Sequence, residues 1–178
     1  MTQLLGVDTT GLVDVSSPGV GATVFLRPGD WLVGMGPHRV NTLLGSCVSV
    51  VLWDAHRRAG AMCHCLLPRR PQHLAQGLQR EPGHYVDEAL KWMFDGLQLR
   101  GCSAVSLAVV VAGGAGAHEP SIGQANVEAA LSGLAARGLR PRQCDTGGSV
   151  VRKLMFNLAD GELLIAAGGH SPHRRKAT

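Results

Sequence analysis

Cys47 is the residue of this 178-residue chain whose neighbours best suit it to act as a nucleophile. It follows Gly45-Ser46, directly after a short apolar strand predicted over Val40–Leu44. Glycine allows backbone conformations that other residues avoid, and such a turn can point backbone N–H groups at one oxyanion. Because a thiol attacks only as its thiolate, it needs a base or a positive field nearby. His64 is the obvious candidate for that base.

A predicted hairpin connects these two residues. The stretch VSVVLW over 48–53 and the stretch GAMCHCLL over 60–67 are largely apolar, and the polar DAHRRA lies between them. Two apolar runs around a polar turn predict paired strands. Because both faces are apolar, we expect central strands that are covered on two sides.

The register of this hairpin decides whether the two side chains meet. If Trp53 pairs near Gly60, Ser49 faces His64, and Cys47 lies diagonally from His64 at about 7–8 Å between Cα atoms. A shift of two residues places Cys47 and His64 directly opposite each other, whereas a shift of one residue puts them on opposite faces. The spacing therefore permits a Cys/His dyad, and the alternative is an inert buried cysteine beside a core histidine.

Apolar periodicity and turn residues predict the elements that must position this pair. They are a strand pair over Val24–Val33 broken by Pro28-Gly29-Asp30, a helix over 84–99, a strand over Ala104–Ala112, a helix over Ile122–Arg137 capped by Ser121, and strands near Val150–Leu158 and Glu162–Ala167. The inner face of the second helix is expected to carry Ile122, Val127, Leu131 and Leu134. With about seven or eight strands clustered in hairpins, we expect an α/β fold: a single-domain layered sandwich with largely antiparallel sheets and two main helices.

The composition agrees with one folded domain. Apolar residues make up 45% and charged residues 17% of the chain, which excludes a disordered protein. The domain is expected over 21–168, after a poorly ordered extension over 1–20 and before a solvated basic tail over 169–178.

An odd number of cysteines and the lack of a secretory signal predict reduced thiols and a cytoplasmic protein. No apolar run of about 18 residues is present, so no membrane span is expected.

A series of short motifs runs along the chain. It begins with TLLGSCVSV over 42–50, LWD over 52–54 and GAMCHCLLP over 60–68. It continues with YVD over 85–87, AGGA over 112–115, IGQANV over 122–127, DTGG over 145–148, Arg152-Lys153, Phe156-Asn157 and Gly161-Glu162. This series resembles the CheD family of chemoreceptor glutamine deamidases. The order and spacing of the motifs argue against chance. The chain departs from the family at Gly148-Ser149-Val150-Val151, where members often have a Gly-Asn-His-Gly run.

The resemblance implies a layered α/β sandwich and a cysteine hydrolase that acts on glutamine side chains of methyl-accepting chemotaxis receptors. By position, Cys47 matches the family's nucleophile and His64 its base, while Gly45 and Ser46 support the oxyanion through the backbone. The family's third residue is a threonine that orients the histidine. Thr42 is the candidate, and Asn41 occupies the position that the threonine takes in some members. The implied reaction uses no metal and no organic cofactor, and neither nucleic acid nor membrane insertion is expected.

Other interpretations of the same residues are weaker. Cys63-His64-Cys65 suggests a metal site, but alternate residues of a strand point to opposite faces, so these three side chains cannot hold one zinc ion. Relatives of the family also bind a CheC-type phosphatase, so an adaptor with little turnover is the second functional hypothesis. A pure adaptor has no need of Cys47 and His64. A toxin-like amidase acting on a small GTPase is disfavoured because no secretion signal is present.

The remaining thiols and imidazoles have no predicted chemistry. We expect Cys102 and Cys144 to be ordinary thiols in or near the core, and His56, His73 and His84 to be solvated surface residues.

Overall fold

The structure is a computed structural model that describes residues 21–71, 82–116, 120–168 and the backbone of 173–176. These residues form two five-stranded sheets and two α-helices. The strands are β1 (Thr23–Phe25), β2 (Trp31–Met35), β3 (Arg39–Leu44), β4 (Val48–Asp54), β5 (Ala59–Cys63), β6 (Leu107–Gly113), β7 (Gln143–Thr146), β8 (Arg152–Asn157), β9 (Glu162–Ala167) and β10 (His173–Lys176). The helices are α1 (Val86–Leu99) and α2 (Ile122–Ala135). The predicted extension over 1–20 lies outside the described residues.

The molecule has three layers: an outer sheet, a middle sheet and the helices. The outer sheet has the strand order β1-β3-β8-β9-β10, and the middle sheet has the order β2-β5-β4-β6-β7. Along β4, Val50 and Leu52 pack in a core with the helices, whereas Val51 and Trp53 pack in a second core with the outer sheet. α1 lies against β2 and β5, and α2 lies against β4 and β6. The middle sheet is therefore buried on both faces, as the apolar sequence of β4 and β5 predicts.

The fold class is the one predicted, a layered α/β domain with largely antiparallel sheets. Only the β1–β3 and β6–β7 pairs are parallel among the described strands. Both predicted hairpins, β4–β5 and β8–β9, are present. Gly161 in the turn of the second hairpin has a φ of 75°, which glycine adopts without strain. Among the described residues, neither α-helix combines the length and the apolar character of a membrane-spanning helix.

The long-range strand pairing differs from the prediction. β1 and β2, predicted as a pair, lie in different sheets, because β1 pairs with β3 and β2 pairs with β5. The turn between them carries the chain from the outer to the middle sheet, with Gly29 at a φ of 95° and the Asp30 carboxylate accepting the N–H of Arg27. The sequence patterns also do not predict β7 and β10. The backbone of β10, in the predicted basic tail, pairs antiparallel with β9.

The buried face of α2 is smaller than predicted. Ser121 caps the helix as expected and accepts the N–H of Gln124 at 3.1 Å. However, Ile122 and Leu131 are 44% and 37% exposed, so the predicted inner face is wrong at these two positions. The buried positions are Gly123, Asn126, Ala129, Ala130 and Leu134. A Cβ on Gly123 would come within 2.5 Å of the carbonyl oxygen of Ala115, so α2 approaches the loop after β6 too closely for larger side chains.

Candidate active site

Cys47 and His64 lie on the same face of the middle sheet. β4 and β5 pair in the register that sets Trp53 opposite Gly60, and an isolated bridge continues that register beyond the end of β5. This is the first of the three registers considered from the sequence, and it places Cys47 diagonally across from His64. Cys47 packs against the core between the two sheets.

Thr42 reaches His64 from β3 of the outer sheet. Its Oγ1 donates a hydrogen bond to the carbonyl oxygen of Leu26 at 2.8 Å and lies 2.7 Å from His64 Nδ1. A hydroxyl whose proton goes to a carbonyl must accept from the ring nitrogen, so Nδ1 carries the imidazole proton. The Leu26 oxygen also lies 3.3 Å from Nδ1, which agrees with a donor at that atom. Nε2 is therefore the unprotonated nitrogen, free to accept a proton.

Burial favours the uncharged forms of both groups. His64 is 3% exposed, and desolvation lowers the pKa of its imidazole, although the Leu26 carbonyl and the Asp30 carboxylate oppose this effect. Desolvation raises the pKa of the Cys47 thiol, against a smaller opposite effect of its own backbone N–H. A neutral imidazole beside a neutral thiol suits a base that removes the thiol proton as the sulfur attacks.

The turn from Gly45 to Cys47, between β3 and β4, lies against the glycine-rich segment that follows β6. The N–H of Gly114 donates to the Cys47 carbonyl oxygen at 2.7 Å. Gly113 has a φ of 107° and leaves no room for a Cβ beside that carbonyl. Within the described residues, the N–H groups of Ser46 and Cys47 make no backbone hydrogen bond. They are therefore available to a ligand at this turn, where Ser46 is exposed to solvent.

Asn41, the alternative to Thr42, lies on the other face of β3. It is half-buried and lines a groove of about 260 Å³ with Arg39 and Asn157 on the outer sheet. Because adjacent residues of a strand point to opposite faces, Asn41 cannot contact His64. The structure thus brings Thr42, and not Asn41, to the imidazole.

The other cysteines lie away from this pair. Cys63 and Cys65 pack against the helices on the opposite face of the middle sheet, as strand alternation predicts. Burial holds the pKa of the Cys65 thiol well above its ordinary value. Cys102 is buried as expected, but Cys144, also expected in or near the core, is exposed because β7 is an edge strand. Within the part of the chain that the structure describes, Cys47 is therefore the thiol on the same sheet face as the imidazole.

The histidines outside the pair differ in their environments. His56 is exposed in the turn between β4 and β5, as predicted. His84, also predicted to be solvated, is half-buried, and its ring lies where a Cβ on Gly29 would come within 2.5 Å. His73 lies outside the described residues.

Two residues that had no predicted role contact the site. The Leu26 carbonyl oxygen accepts the Thr42 hydroxyl, and Asn126 of α2 donates to the Ser46 carbonyl oxygen at 3.1 Å. A backbone carbonyl leaves no signal in the sequence. Asn126 does leave one, because it is a polar residue on the otherwise apolar buried face of a helix.

Comparison with known proteins identifies similar sequences along most of the chain. A family model described as CheD chemotactic sensory transduction matches residues 66–167. The "Probable chemoreceptor glutamine deamidase CheD 2" of Geobacter sulfurreducens is 37% identical over 147 residues, covering 80% of this chain and 88% of the relative. The "Probable chemoreceptor glutamine deamidase CheD" of Maridesulfovibrio salexigens is 37% identical over 155 residues, with 80% and 89% coverage.

Further matches extend this comparison. The "Probable chemoreceptor glutamine deamidase CheD 1" of Chromobacterium violaceum is 32% identical over 169 residues, covering 87% of this chain and 85% of the relative. Among solved structures, the Bacillus licheniformis hypothetical protein YfiH aligns with a TM-score of 0.44 and 12% sequence identity, covering 82% of this chain and 65% of that one.

Proposed function

The chain belongs to the CheD family, and we propose that it uses Cys47 to hydrolyse glutamine side-chain amides of methyl-accepting chemotaxis receptors to glutamate and ammonia. The activity is that of a chemoreceptor glutamine deamidase, the name its curated relatives carry. One observation supports the assignment of residues above all others. The 2.7 Å contact between Thr42 and His64 leaves Nε2 as a free proton acceptor on the face that Cys47 shares.

Acylation is the first half of the proposed reaction. Nε2 of His64 takes the proton of the Cys47 thiol as the sulfur attacks Cδ of the substrate glutamine. The amide oxygen becomes an oxyanion, which the N–H groups of Ser46 and Cys47 stabilise. The His64 imidazolium then protonates the amide nitrogen, and the C–N bond breaks to release ammonia. The enzyme is left as a thioester between Cys47 and the substrate carbonyl.

Deacylation repeats these steps with water as the nucleophile. Nε2 of His64 removes a proton from water, whose oxygen attacks the thioester carbon. The same N–H groups bind the second oxyanion, and the C–S bond breaks as Cys47 recovers its proton. The product is glutamate, so each event replaces a neutral side chain with an anionic one.

Thr42 acts on this reaction through the imidazole. Its hydroxyl proton goes to the Leu26 carbonyl oxygen, so its own oxygen remains an acceptor for Nδ1–H whether or not Nε2 is protonated. This bond keeps the proton on Nδ1, which leaves Nε2 as the basic nitrogen, and it stabilises the imidazolium that forms during attack. Thr42 is therefore a positioning residue for the base.

The direct test is deamidation of a chemoreceptor cytoplasmic fragment. Each event raises the mass of a receptor peptide by about 1 Da, because –OH replaces –NH₂. We expect the wild-type protein to produce this change, the Cys47→Ala variant to produce none, and the Cys144→Ala variant to match the wild type. Cys144 is a suitable control because it is an exposed thiol outside the site. Equal activity of Cys47→Ala and wild type would contradict the assignment of the nucleophile.

Binding of a CheC-type phosphatase stays a prediction from the family resemblance. The adaptor hypothesis requires binding without turnover, so the same deamidation assay separates it from the enzyme. A catalytically inactive wild-type protein that binds the receptor fragment would support the adaptor.

A further inference from the structure

All three carbonyl groups of the turn from Gly45 to Cys47 accept hydrogen bonds, two from the segment after β6 and one from α2. The Gly45 oxygen accepts the N–H of Ala115 at 2.9 Å, and the Cys47 oxygen accepts the N–H of Gly114 at 2.7 Å. Between them, the Ser46 oxygen accepts the side-chain amide of Asn126 at 3.1 Å. Two backbone groups and one side chain therefore fix the turn, and only the side chain can be changed by substitution.

Asn126 also links the turn to the segment that carries the base. Its second amide hydrogen goes to the carbonyl oxygen of Leu66 at 2.9 Å, two residues after His64. A side-chain amide that faces two carbonyl oxygens must present its NH₂ group to both, which fixes its orientation. One buried side chain on α2 thus joins the segment of the nucleophile to the segment of the base.

The planarity of the peptide group makes this contact relevant to the oxyanion. The Ser46 carbonyl and the Cys47 N–H belong to one trans peptide, in which they point in opposite directions. A hydrogen bond that holds the carbonyl toward α2 therefore holds the Cys47 N–H away from α2. The Ala115 contact fixes the Ser46 N–H in the same manner through the Gly45 carbonyl.

We propose that Asn126 is a positioning residue that orients the Cys47 N–H toward the oxyanion, an inference that rests on the deamidase function proposed above. Asn126 acts through the Ser46–Cys47 peptide and does not contact the substrate, since it is 0% exposed. Its Oδ1 is buried and has no hydrogen-bond partner among the described residues. The NH₂ group of Asn126 satisfies the carbonyl oxygens of Ser46 and Leu66 at the cost of this one unpaired acceptor.

The test compares two reactions of Cys47 that differ in their need for an oxyanion site. Alkylation by iodoacetamide requires the thiol and its base but forms no tetrahedral oxyanion. Amide hydrolysis requires the thiol, the base and the N–H groups that bind the oxyanion. In the Asn126→Leu variant we expect kcat for deamidation of the receptor fragment to fall about 10- to 100-fold, with KM changed less than about twofold. The alkylation rate of Cys47 should change much less than kcat, because alkylation forms no oxyanion.

Matched variants define the outcomes. Gln124→Ala changes an exposed side chain on the same helix and should keep wild-type values in both assays. Asn126→Ala is a smaller substitution that should behave as Asn126→Leu does, and it is used if the leucine variant does not fold. Unchanged deamidation in a folded variant, an equal fall in alkylation and deamidation, or failure of both variants to fold would each overturn the proposal. Absence of deamidation by the wild-type protein would instead overturn the proposed function.

Discussion

The contact between Thr42 and His64 gives the most quantitative prediction. Thr42→Val keeps the shape of the side chain but removes the hydroxyl that accepts from Nδ1 at 2.7 Å and donates to the Leu26 carbonyl at 2.8 Å. The imidazole keeps one weaker partner, because the Leu26 oxygen lies 3.3 Å from Nδ1. The variant should therefore retain the ring in the site while losing the bond that best fixes its tautomer.

The size of the effect follows from the charge that His64 carries during attack. A hydrogen bond to a charged group contributes about 1.5–3 kcal/mol, and about 1.36 kcal/mol corresponds to a tenfold change in rate. We therefore expect kcat to fall about 10- to 100-fold with little change in KM. Loss of the hydroxyl donor to the buried Leu26 carbonyl should also lower the free energy of unfolding by about 1–3 kcal/mol.

The assay measures ammonia released from a receptor fragment, together with urea unfolding of each variant. Thr42→Ser keeps a hydroxyl and should stay within about threefold of the wild-type kcat, since the hydrogen bonds can re-form. Asn41→Ala changes the adjacent residue on the opposite face of β3 and should leave kcat unchanged. Unchanged kcat in Thr42→Val, or a larger loss in Asn41→Ala, would refute the assignment of Thr42.

Three further predictions concern the thiol, the imidazole and the glycine turn. Because burial raises the pKa of Cys47, its alkylation rate should rise through pH 9 or above, and a plateau at neutral pH would show a preformed thiolate. Because burial lowers the pKa of His64, folding favours its neutral form. The contribution of His64 to the free energy of unfolding is therefore fully present above a pH of about 6.5, and it falls below that pH by up to about 1.4 kcal/mol per pH unit. Urea unfolding should show a shallower acid decline for His64→Gln, and equal declines would contradict this. Gly113→Ala should lower the free energy of unfolding by at least about 2 kcal/mol more than Gly148→Ala does. Both glycines have a positive φ, but of these two only Gly113 lacks space for a Cβ. Similar losses in urea unfolding would show that a Cβ at Gly113 does not crowd the Cys47 carbonyl.

Local elements could be predicted because their signals are local. The apolar runs of β4 and β5 with a polar turn, and Asp160-Gly161 between β8 and β9, predict the two hairpins that the structure contains. The pairing of distant strands leaves no comparable signal. β1 pairs with β3, and β7 pairs in parallel with β6 after the whole of α2, so tertiary packing decides their positions.

The sequence likewise predicts some residues of the candidate site and leaves others open. Cys47 and His64 could be singled out from residue type and motif, but their spacing alone left three registers open, and the paired strands decide between them. Thr42 has the same parity on β3 as the buried Val40 and Leu44, so alternation of the strand could have separated it from Asn41. The part played by Leu26 is a backbone carbonyl, which any residue supplies.

Trapping of the covalent intermediate tests the central claim most directly. Hydroxylamine competes with water for a thioester, so receptor glutamines processed by the wild-type protein in its presence should become glutamyl hydroxamates, identified by the mass of each peptide. The account predicts hydroxamate and glutamate at the same receptor positions for the wild type, and neither product for Cys47→Ala. Deamidation by Cys47→Ala at the wild-type rate, or glutamate formed without any hydroxamate at saturating hydroxylamine, would contradict it.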